Sequence, residues 1–310
     1  MKIHIVGGGA IGLLHAGRLA QAGQEVTVWT RTDKQAEQLR TEGIRLEDLN
    51  GEACDIPVLS YTLASLAKQS GKDDSPSWII LTVKQTHIDV SLLRQIQLLS
   101  HRHTAVLCLQ NGIGHMDKLV DFLPEAALYT GVTSIGARRL DVRSVRHTGE
   151  GQLWFGPLNE DKKDENLQNL LLNMLQSAGF SVQLSNEMKG RIYQKLLINA
   201  VINPLTAIYD TTNGELPRHP SRLKLMRSLY EETVSVLAAD GKKPEDDGWQ
   251  RVLQVCEATA TNVSSMLSDV RAGRETEIDW INGGVSALAR QSGMPSPLND
   301  AVTALVKQLH

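Results

Sequence analysis

The sequence has 310 residues, of which 41% are hydrophobic and 22% charged, and its formal net charge is −3. That length favours two domains at ~150 residues each, and the balance is that of an ordinary packed globular protein. The near-neutral charge excludes a basic field that would gather nucleic acid or an anionic membrane.

The chain opens on Met1-Lys2-Ile3-His4-Ile5-Val6, which reads as a strand and not as a signal peptide. Further strands are expected at Glu25–Trp29, Ile79–Val83 and Ala105–Leu109, and the last two are almost uniformly apolar, as parallel strands covered on both faces should be. Helical patterns lie between them at Ile11–Ala22, Lys34–Glu42 and Asp89–Leu99. This alternation implies an α/β unit with a doubly wound, Rossmann-type parallel sheet. Ala127–Thr133, Gln152–Phe155 and Phe180–Leu184 read as added strands, with a helix near Asn166–Ser177. Thereafter the pattern is mostly helical, at Asn186–Asn203, Pro220–Ala239, Asp247–Leu267 and Glu277–Ser292. The expectation is a dinucleotide-binding domain over residues 1–186 and an all-helical substrate domain over 187–310. No apolar stretch approaches the ~18 residues of a membrane span. Cys54, Cys108 and Cys256 are odd in number and far apart, so neither a disulfide framework nor a metal site is expected. They read as small buried apolar residues of a soluble, cytoplasmic protein.

Gly7-Gly8-Gly9-Ala10-Ile11-Gly12 fits G-x-G-x-x-G directly after a strand and before a helix. In that context Gly7 permits the tight turn, Gly9 lets backbone amides approach a pyrophosphate, and Gly12 lets the helix pack closely on the sheet. The second strand ends Trp29-Thr30-Arg31 with no acid to accept ribose hydroxyls. Arg31 offers a fork to a 2′-phosphate, with Thr30 adding a hydroxyl, which points to NADPH; the alternative is a solvated surface arginine. Asp33 pairs with Arg31 or meets a ribose hydroxyl. Lys84 and Asn111 follow the carboxyl ends of apolar strands, where ligands of open sheets bind; a surface lysine and an Asn-Gly turn remain the alternatives.

Lys195, Asn199 and Asn203 recur at intervals of four among aliphatic residues, so on a helix they form one narrow polar line. Buried, these groups need partners. Lining a polar cleft supplies them, as does a structural polar network or an exposed edge. In the first reading Lys195 is a general acid: hydride added to a ketone leaves charge on oxygen, and an ammonium of lowered pKa both stabilises and protonates it. Ser265 lies late on a helical pattern. Alone, Glu277 reads first as a first-turn acid favoured by the helix dipole, with a site acid as the lesser alternative.

These residues together resemble the ketopantoate reductase (2-dehydropantoate 2-reductase) family along essentially the whole chain. The likeness rests on Gly7 to Gly12 with Arg31, Val83-Lys84, Gln110-Asn111-Gly112-Ile113-Gly114, and Lys195-Leu196 with Asn199 to Ile208. It continues in Asn213-Gly214-Glu215-Leu216, Ser264-Ser265-Met266-Leu267, and Thr276-Glu277-Ile278-Asp279 with Ile281-Asn282-Gly283. The resemblance implies reduction of ketopantoate to (R)-pantoate by NADPH, a step toward pantothenate and coenzyme A, in a cleft between sheet and helical domains. It implies Lys195 as proton donor, Asn199, Asn203, Asn213 and Ser265 as substrate ligands, and Asn111 between cofactor and substrate. Glu277 would stand at the cofactor–substrate junction, and Ala137 would be a cofactor contact. Gln85-Thr86-His87 departs from the family, which often carries a bulkier aromatic there. Rival readings are a reductase of another small 2-oxo acid, a non-catalytic NADPH sensor, and an enzyme of the 6-phosphogluconate-dehydrogenase kind. The partner expected is a small 2-oxo acid, and the chain is expected to be a monomer or homodimer.

Overall fold

The computed structural model describes residues 1–66, 77–241 and 247–309. The chain divides into two compact units, Met1–Gln110 with His115–Met188, and Asn111–Gly114 with the residues from Lys189 onward.

The first unit runs β1 (Lys2–Val6), α1 (Ala10–Gln21), β2 (Val26–Thr30), α2 (Asp33–Glu42), β3 (Ile44–Glu47), β4 (Ala53–Ile56) and β5 (Leu59–Thr62). It continues β6 (Ser77–Leu81), α3 (Val90–Leu99), β7 (Thr104–Cys108), α4 (His115–Phe122), β8 (Ala127–Thr133) and β9 (Gly136–Arg139). Then come β10 (Ser144–Gly149), β11 (Gln152–Pro157), α5 (Glu165–Ser177) and β12 (Ser181–Leu184). Among the described residues eight strands make one sheet in the order β12-β11-β8-β7-β6-β1-β2-β5, parallel except where β11 runs against β8. The apolar runs are buried on both faces, as period-2 geometry requires. Trp78 and Ile80 of β6 pack with Leu13 of α1 and Leu171 of α5, while Ile79 and Leu81 pack with Leu92 of α3 and Leu119 of α4. From β1 the chain goes first to β2 on one side and later to β6 on the other. The reversal places the ligand crevice outside the carboxyl ends of β1 and β6.

Five strands lie outside the sequence expectation. β5 extends the large sheet beside β2, and β4-β3-β10-β9 form a second, four-stranded sheet that packs on α1. Its strands are short and largely polar, and β3 pairs with a β10 about a hundred residues away. No local periodicity announces them.

The second unit is helical: α6 (Met188–Tyr209), α7 (Pro220–Ala239), α8 (Gly248–Ala258), α9 (Ser265–Arg271), α10 (Asn282–Gln291) and α11 (Pro297–Lys307). Their apolar faces enclose a core containing Leu196, Val201, Leu205, Leu229, Val252 and Val285. The single helix expected over Asp247–Leu267 is two helices, because Ser264 caps a new one by accepting the Leu267 amide at 3.0 Å. The helix expected from Glu277 begins only at Asn282; α4 and α11 were not expected at all. Cys108 and Cys256 are buried as anticipated, but Cys54 is exposed on β4. Among the described residues no helix is long and apolar enough to cross a membrane.

Candidate active site

In the first unit, β1 delivers the glycine loop to the crevice. Gly7 has φ +118°, and a Cβ at Gly12 would stand 1.9 Å from the Gly7 carbonyl oxygen, so α1 starts in contact with the turn that precedes it. The Thr82 hydroxyl closes the same corner with bonds to the Val6 and Gly7 carbonyls, at 3.1 and 3.0 Å. Gly8 is buried, and its carbonyl accepts from Gln35 Nε2 (2.8 Å) and Arg139 (3.2 Å). The peptide joining Gly8 to Gly9 therefore turns its N–H away from those donors. A Cβ at Gly9 would meet nothing within 4 Å. Gly9 is the N-cap of α1, makes no side-chain cap, and no acid occupies the first turn. Because Leu13 N–H is the donor to Gly9 O, the amides of Ala10, Ile11 and Gly12 precede the intrahelical ladder. Open space in front of orphan amides at a helix start fits a dinucleotide pyrophosphate.

At the end of β2, Arg31 is exposed and its Nη1 donates to His87 Nε2 at 3.0 Å, which requires that nitrogen to carry a lone pair. Sequence reasoning noted His87 only as a departure from a family pattern; its place just past the end of β6 was the available signal. Thr30 does not supply the free hydroxyl expected of it. It is fully buried and donates to the Thr32 carbonyl at 3.0 Å, while Thr32 caps α2 by accepting from Gln35 N–H. Lys84 is half-buried at the start of the 3-10 turn Gln85–His87. Ala137 lies on β9, opposite His147 in the small sheet.

In the second unit, α6 carries the polar line. Tyr193, Leu196, Leu197, Ala200, Val201, Ile202 and Leu205 are all buried, while Lys195 and Asn199 are half-buried and Asn203 is 7% exposed. Burial lowers the Lys195 ammonium from its ordinary 10.5 to about 8, against the opposing attraction of Glu277, which raises it. Glu277 is itself buried and sits in the turn before α10. That removes its reading as a first-turn helix acid. Asn111 belongs to this unit and donates through Nδ2 to Glu277 Oε2 at 3.2 Å. The contact is set by backbone. Ile113 N–H bonds to the Trp280 carbonyl at 3.1 Å, and a Cβ at Gly112 would stand 2.3 Å from that same oxygen, so only glycine lets the two loops close. Lys195, Glu277 and Asn111 thus form one electrostatic group drawn from three distant stretches of sequence.

Asn213 is buried in a 3-10 turn, where its Nδ2 donates to Thr259 Oγ1 at 2.8 Å and its buried Oδ1 has no hydrogen-bond partner. Ser265 is exposed as the first residue of α9, not late on a helix. Its place is set by Thr206 of α6, whose hydroxyl lies 2.7 Å from that of the capping Ser264.

Residues 3–160 match the family profile described as ketopantoate reductase PanE/ApbA, and residues 187–310 match its C-terminal profile. The chain belongs to the ketopantoate reductase family. It is 34% identical over 297 residues to the 2-dehydropantoate 2-reductase of Bacillus subtilis, covering 95% of this chain and 92% of that one. A PanE/ApbA family ketopantoate reductase from Ralstonia eutropha matches with TM-score 0.88 at 28% identity, over all of this chain and 98% of the other. A D-mandelate dehydrogenase solved with NADH and anilino(oxo)acetate matches with TM-score 0.88 at 29% identity, again over 100% and 98% of the two chains.

Proposed function

We propose that this chain reduces ketopantoate to (R)-pantoate with NADPH, as a step toward pantothenate and coenzyme A. The observation that carries the reading is Lys195: a lysine on a greasy helix whose pKa falls to about 8 beside a buried carboxylate. At neutral pH such a group is mostly charged, yet it gives up its proton far more readily than a free lysine.

NADPH, when bound, supplies the hydride to the ketone carbon. The amides at the start of α1, opened by Gly7, Gly8, Gly9, Ala10, Ile11 and Gly12, hold its pyrophosphate, and Arg31 holds the 2′-phosphate by a charge-assisted fork. Lys84 and Ala137 line the same cofactor. Lys195 Nζ holds a proton against the ketone oxygen, polarises the carbonyl and passes the proton as charge develops. Glu277 keeps the ammonium charged in its desolvated position and meets the cofactor side of the substrate. Asn199, Asn203 and Ser265 offer neutral donors to the substrate's carboxylate, and Asn213 offers its unpartnered Oδ1 as an acceptor for the substrate's hydroxyl. Asn111, aligned by Glu277, presents its amide to cofactor and substrate together.

A second reading is reduction of another 2-oxo acid with NADPH or NADH. Likeness to the D-mandelate dehydrogenase and the short polar Gln85-Thr86-His87 segment favour it. The test is oxidation of NADPH and NADH by the purified protein with ketopantoate and a panel of 2-oxo acids, including the one corresponding to mandelate. The proposal expects the highest kcat/KM for NADPH with ketopantoate. A higher value for another acid establishes the second reading, and cofactor binding without turnover on any acid defeats both.

A further inference from the structure

Helix α6 contains a proline, Pro204, in its interior. Proline has no N–H, so the Ala200 carbonyl one turn earlier lacks its intrahelical donor, and the ring crowds that same oxygen. The vacancy falls between Asn199 and Asn203, and Asn203 immediately precedes the proline, where helical backbone is disfavoured. An orphan carbonyl in a buried helix needs a partner. Here it has one: Asn282 Nδ2 donates to Ala200 O at 2.9 Å, from a side chain with no solvent exposure.

The orientation of that amide is determined further out. The carboxylate of Glu232 on α7 accepts from the Leu298 and Asn299 backbone amides, at 3.0 and 2.8 Å, and from Asn299 Nδ2 at 2.9 Å. A carboxylate turns the NH₂ side of Asn299 toward itself, which leaves Asn299 Oδ1 facing Asn282. Asn282 then presents its own NH₂ to Asn299 Oδ1 at 3.0 Å and spends its second N–H on Ala200 O. The relay has one polarity from Glu232 to α6. Asn282 is also five residues past Glu277, on the same short segment.

We infer that Asn282 is a positioning residue: its carboxamide stands in for the amide that Pro204 lacks, and so holds the course of α6 across the proline, which sets Asn203 relative to Asn199 and Lys195. The inference rests on the reductase reading above only for its kinetic consequence.

The decisive experiment uses Asn282→Leu, Pro204→Ala and the double variant in the full chain. Pro204→Ala restores a backbone N–H for the Ala200 carbonyl. Asn282→Leu removes two buried hydrogen bonds; loss of the one to the Ala200 carbonyl should raise KM for ketopantoate about tenfold, with kcat and the KM for NADPH changing less than about threefold. Adding Pro204→Ala should recover most of that rise. In urea unfolding the two substitutions should be non-additive by at least about threefold in the equilibrium constant. A merely space-filling Asn282 would lower the midpoint without a KM split and without rescue, and that result overturns the inference. If Asn282→Leu alone does not fold, the double variant decides: folding, with KM within about threefold of Pro204→Ala, supports the inference, and failure to fold overturns it. The unfolding cycle reads the coupling without turnover. An inactive wild-type protein would therefore defeat the reductase reading while leaving this one to its own measurement.

Discussion

Replacing Lys195 with methionine keeps the length and apolar stem of the side chain and removes only the ammonium. The ammonium has a thermodynamic signature independent of catalysis. Its pKa of about 8 in the fold, against an ordinary 10.5, corresponds to about 3 kcal/mol of differential stabilisation between the two protonation states. The folded value lies below the unfolded one, so between them the unfolded chain binds the proton and the folded chain does not. Stability from this group is therefore greatest above pH 10.5, is lost as pH falls toward 8, and carries the full penalty below 8. Integrating that linkage with these two values, the gap in unfolding free energy between wild type and Lys195→Met should move by about 2–3 kcal/mol in wild type's favour from pH 7 to pH 10. Titrating groups remote from Lys195 are common to both proteins and cancel in the difference. Urea unfolding of both at four pH values measures it. A gap constant within about 0.5 kcal/mol across that range would mean that Lys195 is not desolvated, and the case for a tuned acid would fail. In the same variant, ketopantoate reduction should fall by about 10²–10⁴-fold, while NADPH affinity stays within about twofold; wild-type turnover would remove the proton-donor role.

Glu277→Gln keeps an acceptor for Asn111 but removes the charge that raises the Lys195 pKa. Reduction needs the protonated lysine, so kcat/KM falls as pH rises through its pKa. In the variant that descending limb should move to lower pH, and a pH–rate profile with an unmoved limb would separate the two residues. Arg31→Ala should raise KM for NADPH by about 10–100-fold, the range of a lost charge-assisted fork, with little change for NADH; equal effects would assign Arg31 to a solvated surface role. Gly12→Ala forces a Cβ to 1.9 Å from backbone and should lower unfolding stability by about 3 kcal/mol or more and abolish NADPH binding. A folded variant with wild-type affinity by fluorescence titration would show that the turn is softer than its geometry implies.

Local chemistry written into the chain was enough for much of this protein. The glycine loop, the almost uniformly apolar β6 and β7, and the spacing of Lys195, Asn199 and Asn203 are each determined by neighbours within a few residues, because strand and helix periodicities are local. For the same reason the polar line on α6 is legible in the sequence itself. Tertiary structure alone decided what those groups meet. Asn111 sits 166 positions from Glu277, and a glycine against a distant carbonyl is what lets them touch. The loop Asn111–Gly114 joins the helical unit although the sequence around it is all α/β. The four-stranded sheet on α1, the turn that carries Glu277 ahead of α10, and the buried hydroxyl of Thr30 follow the same rule. So does Asn282: a proline inside a helix announces an unpaired carbonyl, but the fold chooses the donor. Pairings between residues far apart are made by burial and by the need of every buried polar group for a partner, and neither demand leaves a periodic trace in the chain.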